Sequence, residues 1–502
     1  DSFMLHYLRW MMGQRPYLVL EVDSHTADAG LDTRIEAFLD IVDSYRKADL
    51  PAGAPERERR YRVEPKKEYL DIIDNRTGER IDIRDPRVEL IWPSMGDLST
   101  EVTAAAAQKG GLRSSHLPVP DVQTTQLARN VASGKECIPS LLVLGLILQF
   151  LEEHPPNQPD EILLFFVPTT LGPCRTGQYY VFYERLFADL GYENVVIITA
   201  DSSNSYREMG PTFSRDIWWA LVLGDYFTDA RTGLRLLARD VDTALAVFDD
   251  AWANVVEAMR RGEGIEEAVA DAGRRLAAIP RRRSIDEIPR VLVVGEIYVR
   301  RDTFSVAEIT DFLVAKGIFP KVTGITEWIG YTDHARKQRM NRALKRDGVL
   351  GGLRSGLLKD QAWYYVESFY KNMVEHKVAR HLVPTGLIPH APHDMHEIVG
   401  NAERHFIDSE LESEATVSSG VAATAMEDGY SGIAIIAPFA CLPGRLIEGV
   451  YAPWARRHGY PVIALENDGQ PYPPNVIARM EIFAHNVGRF ERPATAQPPV
   501  KA

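Results

Sequence analysis

The feature that most constrains this chain is a repeated order: a short apolar run, a Gly/Pro-marked turn, then a stretch of helical period. Val88 to Trp92, Ile162 to Val167, Val195 to Thr199, Val291 to Val294, Lys321 to Ile325 and Ile433 to Ala437 are apolar runs of strand length. Amphipathic stretches fall between and after them, including Ser140 to Glu153, Tyr179 to Leu190 and Gly444 to His458. Strands alternating with helices argue for parallel sheets, so the expected fold class is α/β with two Rossmann-like lobes. A helical region from about Ala238 to Ala278, broken near Gly262 and Gly264, ends in Pro280-Arg281-Arg282-Arg283. That basic run reads as a solvated hinge, which sets a first lobe over 85–283 and a second over 284–492, with a tail over 493–502. Arg46 to Tyr69 is rich in charge, Pro and Gly, so 46–84 reads as a linker or excursion.

The amino-terminal segment repeats the carboxyl-terminal one. At a constant offset of 445, Pro16, Leu20, Glu21, Asp23, Arg34, Glu36 and Phe38 match Pro461, Leu465, Glu466, Asp468, Arg479, Glu481 and Phe483. Each copy reads as a strand (Tyr17 to Val22; Val462 to Asn467), a loop and a helix around Arg34 or Arg479. Residues 1–45 are therefore expected to be the carboxyl-terminal remnant of an upstream module, left by gene splitting or cleavage of a longer precursor. Tyr17, Leu18, Leu20, Ile35 and Phe38 then have to pack against a related module on another chain, since a lone strand-helix unit cannot bury its apolar face.

The 502 residues contain only three cysteines, each in a Gly/Pro-marked loop that opens onto a helical stretch: Cys137, Cys174 and Cys441. Cys174 and Cys441 follow apolar runs, which places them at the carboxyl ends of strands, where open α/β sheets bind ligands. A helix amino terminus favours negative charge, so all three thiols are positioned to become thiolates or metal ligands. The alternative is ordinary buried cysteine. Spacing leaves both open, because no CxxC occurs.

Composition narrows the class. Apolar residues at 45% and charged residues at 25% suit a globular protein with substantial cores. Lys plus Arg number 57 against 70 acidic residues, a net charge of −13, which argues against a general nucleic-acid or anionic-membrane surface. Three cysteines do not make a secreted disulfide framework, no apolar run is long enough to span a bilayer, and Asp1 to Met12 lacks signal-peptide form. A reducing cytoplasm is expected.

Three motifs carry a family resemblance: Lys135-Glu136-Cys137-Ile138-Pro139, the run Gly172-Pro173-Cys174-Arg175-Thr176-Gly177-Gln178-Tyr179, and Pro438-Phe439-Ala440-Cys441-Leu442-Pro443. In order and interval they resemble the cysteine motifs of the iron–sulfur component of the 2-hydroxyacyl-CoA dehydratase and benzoyl-CoA reductase superfamily, which includes double-cubane cluster proteins. Gly295-Glu296-Ile297-Tyr298-Val299-Arg300 and Glu327-Trp328 are similar to its second-domain motif. The resemblance spans about residues 85–490 and favours the large forms fused to ATP-dependent activases. It implies a [4Fe–4S] cluster held by Cys137, Cys174 and Cys441, with one iron lacking a protein thiolate and Glu136, Arg175 and Gln178 in support. Glu414, Thr416 and Ser418, in what reads as a Gly/Ser-rich loop, become candidates to line the substrate pocket.

The function the resemblance implies is low-potential electron transfer that reduces, or reductively dehydrates, an acyl-CoA-type substrate under anaerobic conditions. ATP is used only through a separate activase, in a hetero-oligomer. Two alternatives stand beside it: a double-cubane-type reductase of small molecules sharing its cluster with another module, and a cluster-free two-lobed scaffold or binding protein.

Other constellations are weaker. Gly134-Lys135 matches the end of a Walker A loop, but Arg129 stands where that loop needs Gly. His390, His393 and His396 have ligand-like spacing, yet Asp394 with Glu397 reads as a capping box, which favours a helix start over a metal cage. Ser305 with Glu308 reads as a similar cap for a helix from about Val306.

Overall fold

A computed structural model describes residues 2–13, 15–20, 28–47, 59–66, 68–154, 161–170, 174–201, 209–390 and 393–490. The chain opens with helices α1 (Ser2–Met12) and α2 (Asp28–Lys47), then an antiparallel meander of β1 (Tyr61–Pro65), β2 (Leu70–Asp74) and β3 (Arg80–Asp82). The first parallel sheet follows: β4 (Val88–Trp92), α3 (Asp97–Lys109), β5 (Ser114–His116), α4 (Val122–Val131), α5 (Ile138–Glu153), β6 (Ile162–Phe166), α6 (Tyr179–Leu190) and β7 (Val195–Ile198). Its strand order is β5-β4-β6-β7. Helix α5 is apolar all round because it is buried along most of its length, as that pattern requires.

Three helices, α7 (Pro211–Leu237), α8 (Val241–Arg261) and α9 (Ile265–Ala277), lead to the second sheet. That lobe comprises β8 (Arg290–Gly295), α10 (Ile297–Arg301), α11 (Thr303–Ala315), β9 (Phe319–Val322), α12 (Ile325–Arg354), α13 (Leu357–Leu382), α14 (Met395–His405), α15 (Glu414–Glu427), β10 (Gly432–Pro438), α16 (Leu442–His458), β11 (Val462–Asn467) and α17 (Pro474–Arg489). All its strand pairs are parallel and the order is β11-β10-β8-β9. Numbered within each lobe, both sheets therefore have the order 2-1-3-4. Both reverse direction between their first and third strands, which creates a crevice at the carboxyl ends of β4 and β6 and another at those of β8 and β10. The expected two-lobed α/β fold is present.

A separate helical core joins the lobes. Trp218, Phe227, Phe248, Trp252 and Leu382 pack together across α7, α8 and α13, with Phe319 of β9 reaching in from the second sheet. Gly262 and Gly264, at φ 76° and 69°, make the break between α8 and α9 that the sequence marks. The basic run after α9 is not a loose hinge: Arg239 N–H donates to Pro280 C=O at 3.0 Å and Arg282 N–H to Leu237 C=O at 2.9 Å. Backbone pairing pins it to the end of α7.

Several expectations change. Residues 61–82, expected within a linker, form the β1-β2-β3 meander and bury Tyr61, Leu70, Ile72 and Ile81 against the first sheet. Charged residues fill its exposed positions, which disguised a half-buried antiparallel sheet as a polar loop. Residues 48–58 and the tail 493–502 lie outside the described residues.

In the amino-terminal copy of the repeat, the described part of the expected strand, 17–20, is irregular, while 21–22 are outside the described residues. The helix does form as α2. In α17 the buried face is Met480, Phe483, Ala484 and Val487, whose offset counterparts are Ile35, Phe38, Leu39 and Val42. Ile35 and Leu39 are exposed, and no core cluster among the described residues includes any residue from 15–47. No helix of the described chain is long and apolar enough to cross a membrane.

Candidate functional site

All three cysteines occupy the residue just before a helix. Cys137 precedes α5, Cys441 precedes α16, and Cys174 precedes a short 3₁₀ turn, Arg175–Gln178, that runs into α6. Pro139 and Pro443 stand in the first turns of their helices, where a missing N–H costs nothing. Gly172 and Pro173 of the second motif lie outside the described residues. The Cys137 sulfur shares a 2.6 Å hydrogen bond with Tyr179 Oη, and Cys174 Sγ lies 3.2 Å from Thr176 Oγ1.

The thiols feel one another and a common neighbour. Negative charge on Cys137 pushes Cys174 up, charge on Cys174 pushes Cys441 up, and Glu296 pushes up all three. In each case burial is the larger cause, and it carries Cys174 to about 12. Without a cation, burial opposes the thiolates that the helix termini favour. A bound metal reverses that balance, because a coordinating thiol gives up its proton.

Around Cys137 the support comes from elsewhere than a metal-directed carboxylate. Glu136 accepts from Ser133 N–H and Oγ, Gly134 N–H and Lys135 N–H at 2.7–3.1 Å, and its Oε1 lies 2.6 Å from His6 Nε2. Burial opposes its ionisation, but these bonds win and hold it at about 2. The Gly134-Lys135 loop is thereby closed on its own carboxylate, with its N–H groups turned to Glu136. Arg175 donates to Lys135 C=O at 3.0 Å and favours the thiolate of Cys137 by its charge. The Gln178 backbone carbonyl accepts from Tyr7 Oη of α1 at 3.3 Å.

The second lobe brings buried charge. Gly295, at φ 125°, ends β8 so close to β10 that a Cβ there would fall 1.9 Å from Ile436 C=O; only glycine lets the chain turn Glu296 into the crevice. Glu296 caps α10, accepting from Tyr298 and Val299 N–H at 3.2 and 2.9 Å. One turn on, Arg300 is fully buried, 3.5 Å from Glu414 Oε1 and 3.7 Å from Glu327 Oε1. Neither carboxylate oxygen has a hydrogen-bond partner among the described residues. Three carboxylates surround one guanidinium, so burial raises all of them: Glu327 to about 7, Glu414 well above its ordinary value and Glu296 in the same direction. Burial thus favours the protonated carboxyl at this site, most strongly at Glu414.

These groups face a cavity of about 460 Å³ between the lobes. Cys174, Tyr179, Glu296 and Glu414 line it together with aromatic side chains that include Trp92 and Trp328. Cys441 borders a second cavity of about 410 Å³ with Arg445 and Glu466. Of the pocket candidates, Glu414 faces the large cavity, while Thr416 and Ser418 are fully buried behind it, Ser418 Oγ 3.5 Å from Arg300 Nη1. The supposed Gly/Ser-rich loop is the buried helix α15: its small residues permit contact so close that a Cβ on Gly420 would fall 2.2 Å from Ile398 C=O of α14.

Two other readings shift. Asp302 caps α11 by accepting from Ser305 N–H at 2.9 Å and Oγ at 2.7 Å, while Glu308 accepts from Tyr472 N–H. Asp394 does cap α14, through His396 N–H at 2.7 Å. His396 stacks with His334, away from the pair made by His390 and His393.

No family model matches the chain, and no curated protein matches it either. Sequence reasoning named Tyr179, Glu296, Arg300 and Glu327 only within motifs and gave them no role. It missed α1 entirely, whose His6 and Tyr7 support the Cys137 loop. The one available signal was the amphipathic spacing of Phe3, His6, Tyr7 and Trp10, which pack as a face against Phe182 and Tyr179.

Proposed function

We propose that Cys137, Cys174 and Cys441 hold an iron–sulfur cluster where the two crevices meet, in an ATP-dependent electron-transfer system that reduces or reductively dehydrates an acyl-CoA-type substrate. The observation that carries this reading is that Cys174 and the buried Glu414 carboxyl, whose Oε1 has no hydrogen-bond partner among the described residues, face the same apolar cavity. The donor set fits such a group: one buried and two half-buried thiols within electrostatic reach of a common carboxylate, ahead of helix termini that favour negative charge. When bound, a cluster of this kind supplies single electrons at potentials that reach down to about −700 mV.

The chain's own residues do the rest. The aromatic walls take up the acyl portion and exclude water, a better match for an extended thioester than for a small inorganic molecule. Glu414, which burial pushes well above its ordinary value, holds a proton at a carboxyl oxygen beside the cavity, where a reduced or departing oxygen needs it. Arg300 fixes the carboxyl positions and limits their net charge. Tyr179 orients Cys137. ATP enters through a partner activase, and the apolar face of α2 is where a related module would dock, in an anaerobic cytoplasmic hetero-oligomer.

The test is single-turnover chemistry. Anaerobically reconstituted full-length chain, given a strong one-electron donor and a 2-hydroxyacyl-CoA, should release the corresponding enoyl thioester, and Glu414→Gln should slow this at least tenfold. Reconstituted protein that carries iron yet neither binds nor transforms any acyl thioester would overturn the substrate assignment.

A further inference from the structure

The second lobe carries a side-chain cluster that lines neither cavity. His390 follows the 3₁₀ turn Val383–Thr385, His393 directly precedes the cap of α14, and Asp428 ends α15. Their ligand atoms lie within 4.8 Å of one another. His393 Nε2 is 2.7 Å and His390 Nε2 3.7 Å from the same Asp428 Oδ2, and the two imidazole rings are 5.2 Å apart. Zinc bonds of about 2.0–2.2 Å in a tetrahedron put donor atoms about 3.3–3.6 Å apart, so the set needs adjustments of only about an ångström.

Two further features favour a cation there. Asp428 sits at the negative end of the α15 dipole, an unfavourable place for a carboxylate unless positive charge meets it. Arg290, which donates to the Asp428 backbone carbonyl at 3.2 Å and lies over the Tyr430 ring, also acts on the carboxylate by its charge and is the one nearby group among the described residues that opposes a cation. Behind His393, Nδ1 faces Glu397 Oε2 at 3.7 Å, the kind of carboxylate that orients a ligating imidazole. All three candidate ligands are half-buried, which leaves a further coordination position to water. His390 Nε2 also meets Tyr430 Oη at 3.0 Å, a contact that holds the ring close to Asp428.

We propose that His390, His393 and Asp428 form a binding site for a zinc-class divalent cation that fastens the start of α14 to the end of α15. Two imidazoles and one carboxylate are a donor set for such ions, whereas a cubane takes thiolates, so this site is independent of the cysteines. Its consequence reaches the cavity mechanically, because α15 begins with Glu414.

The experiment uses chelator-treated full-length chain titrated with Co(II) alone and then Zn(II) alone. One Co(II) should bind with the d–d absorption of a nitrogen/oxygen site, separate from any thiolate-to-cobalt band of the cysteines, and Zn(II) should displace it and raise the unfolding temperature. His393→Gln and Asp428→Asn should each weaken that binding at least tenfold while leaving iron loading of the cysteines unchanged. His390→Gln, which keeps the His393–Asp428 ion pair, should do the same and guards against a folding defect. Absence of the band at micromolar cobalt, a band of thiolate character only, or binding indifferent to His390→Gln and His393→Gln would each overturn the proposal and leave an ordinary His–Asp ion pair. Loss of iron binding alone would count against the cluster and not against this site.

Discussion

The two lobes share one strand order and one crevice position, yet fill the crevice differently. In the first lobe the loop after the third strand carries Cys174, a nearby helix start carries Cys137, and the local carboxylate, Glu136, is spent on the loop's own N–H groups. In the second lobe the loop after the third strand carries Cys441, while the loop after the first strand delivers Glu296 and, through α10, a buried arginine between the carboxyl groups of Glu327 and Glu414. One lobe mainly offers sulfur in an apolar, hydrogen-bonded frame. The other offers one sulfur and carboxyl groups that burial pushes toward the protonated form. A fold supplies the crevice, but its chemistry comes from which side chains the two switch points receive.

The strongest way to break this contrast is to remove the guanidinium. Arg300→Met leaves Glu296, Glu327 and Glu414 without their cation, and we expect a loss of about 3–5 kcal/mol of stability above neutral pH by denaturant unfolding. The loss should shrink at pH 5, where the carboxyl groups are protonated. An equal loss at both pH values would show that Arg300 acts by packing and not by charge.

A smaller effect isolates one carboxyl. Burial raises Glu327 from 4.5 to about 7, so the folded state holds a proton that the unfolded state has lost between those values. The stability contributed by that retained proton is fully present below about pH 4.5 and falls as pH rises toward 7, by a few kcal/mol in all. Glu327→Gln should flatten that part of the stability–pH profile. Corresponding substitution of Glu136, whose folded state is depressed to about 2, should remove stability at neutral pH instead. Profiles of the same sign for both would erase the distinction between the lobes.

The smallest change sharpens the Cys441 side. Ala440 stands at φ 56°, a left-handed conformation that costs a residue with a Cβ roughly 1 kcal/mol. Ala440→Gly should raise stability by up to about 1 kcal/mol, measured by thermal unfolding, if relief outweighs the added chain entropy of glycine. A drop of that size would mean the strained turn is set by contacts and not by the backbone alone.

The strands were legible because buried parallel strands are continuous apolar runs: Val88–Trp92 and Val462–Asn467 have the bounds read from sequence. Tyr179–Leu190 was equally clear from its period. The meander was not, since Arg62 and Glu64 interrupt β1 with charge on its open side. Helix α15 was misread because Thr, Ser and Gly are weak helix formers that here serve close packing against α14. For the site, the loop positions of the cysteines and the presence of Glu296, Arg300 and Glu327 could be read. Their mutual burial could not, because it depends on how α10, α12 and α15 pack together at the end of β8.

The central claim is that both lobes contribute sulfur to one iron centre. Iron and acid-labile sulfide, measured on anaerobically reconstituted full-length chain and on Cys137→Ser, Cys174→Ser and Cys441→Ser, test it most directly. The account predicts about four irons per chain in the parent protein and loss of most of that iron in each variant, including the one altered only in the second lobe. Iron content that is absent from the parent chain, or unchanged by Cys441→Ser, would contradict it.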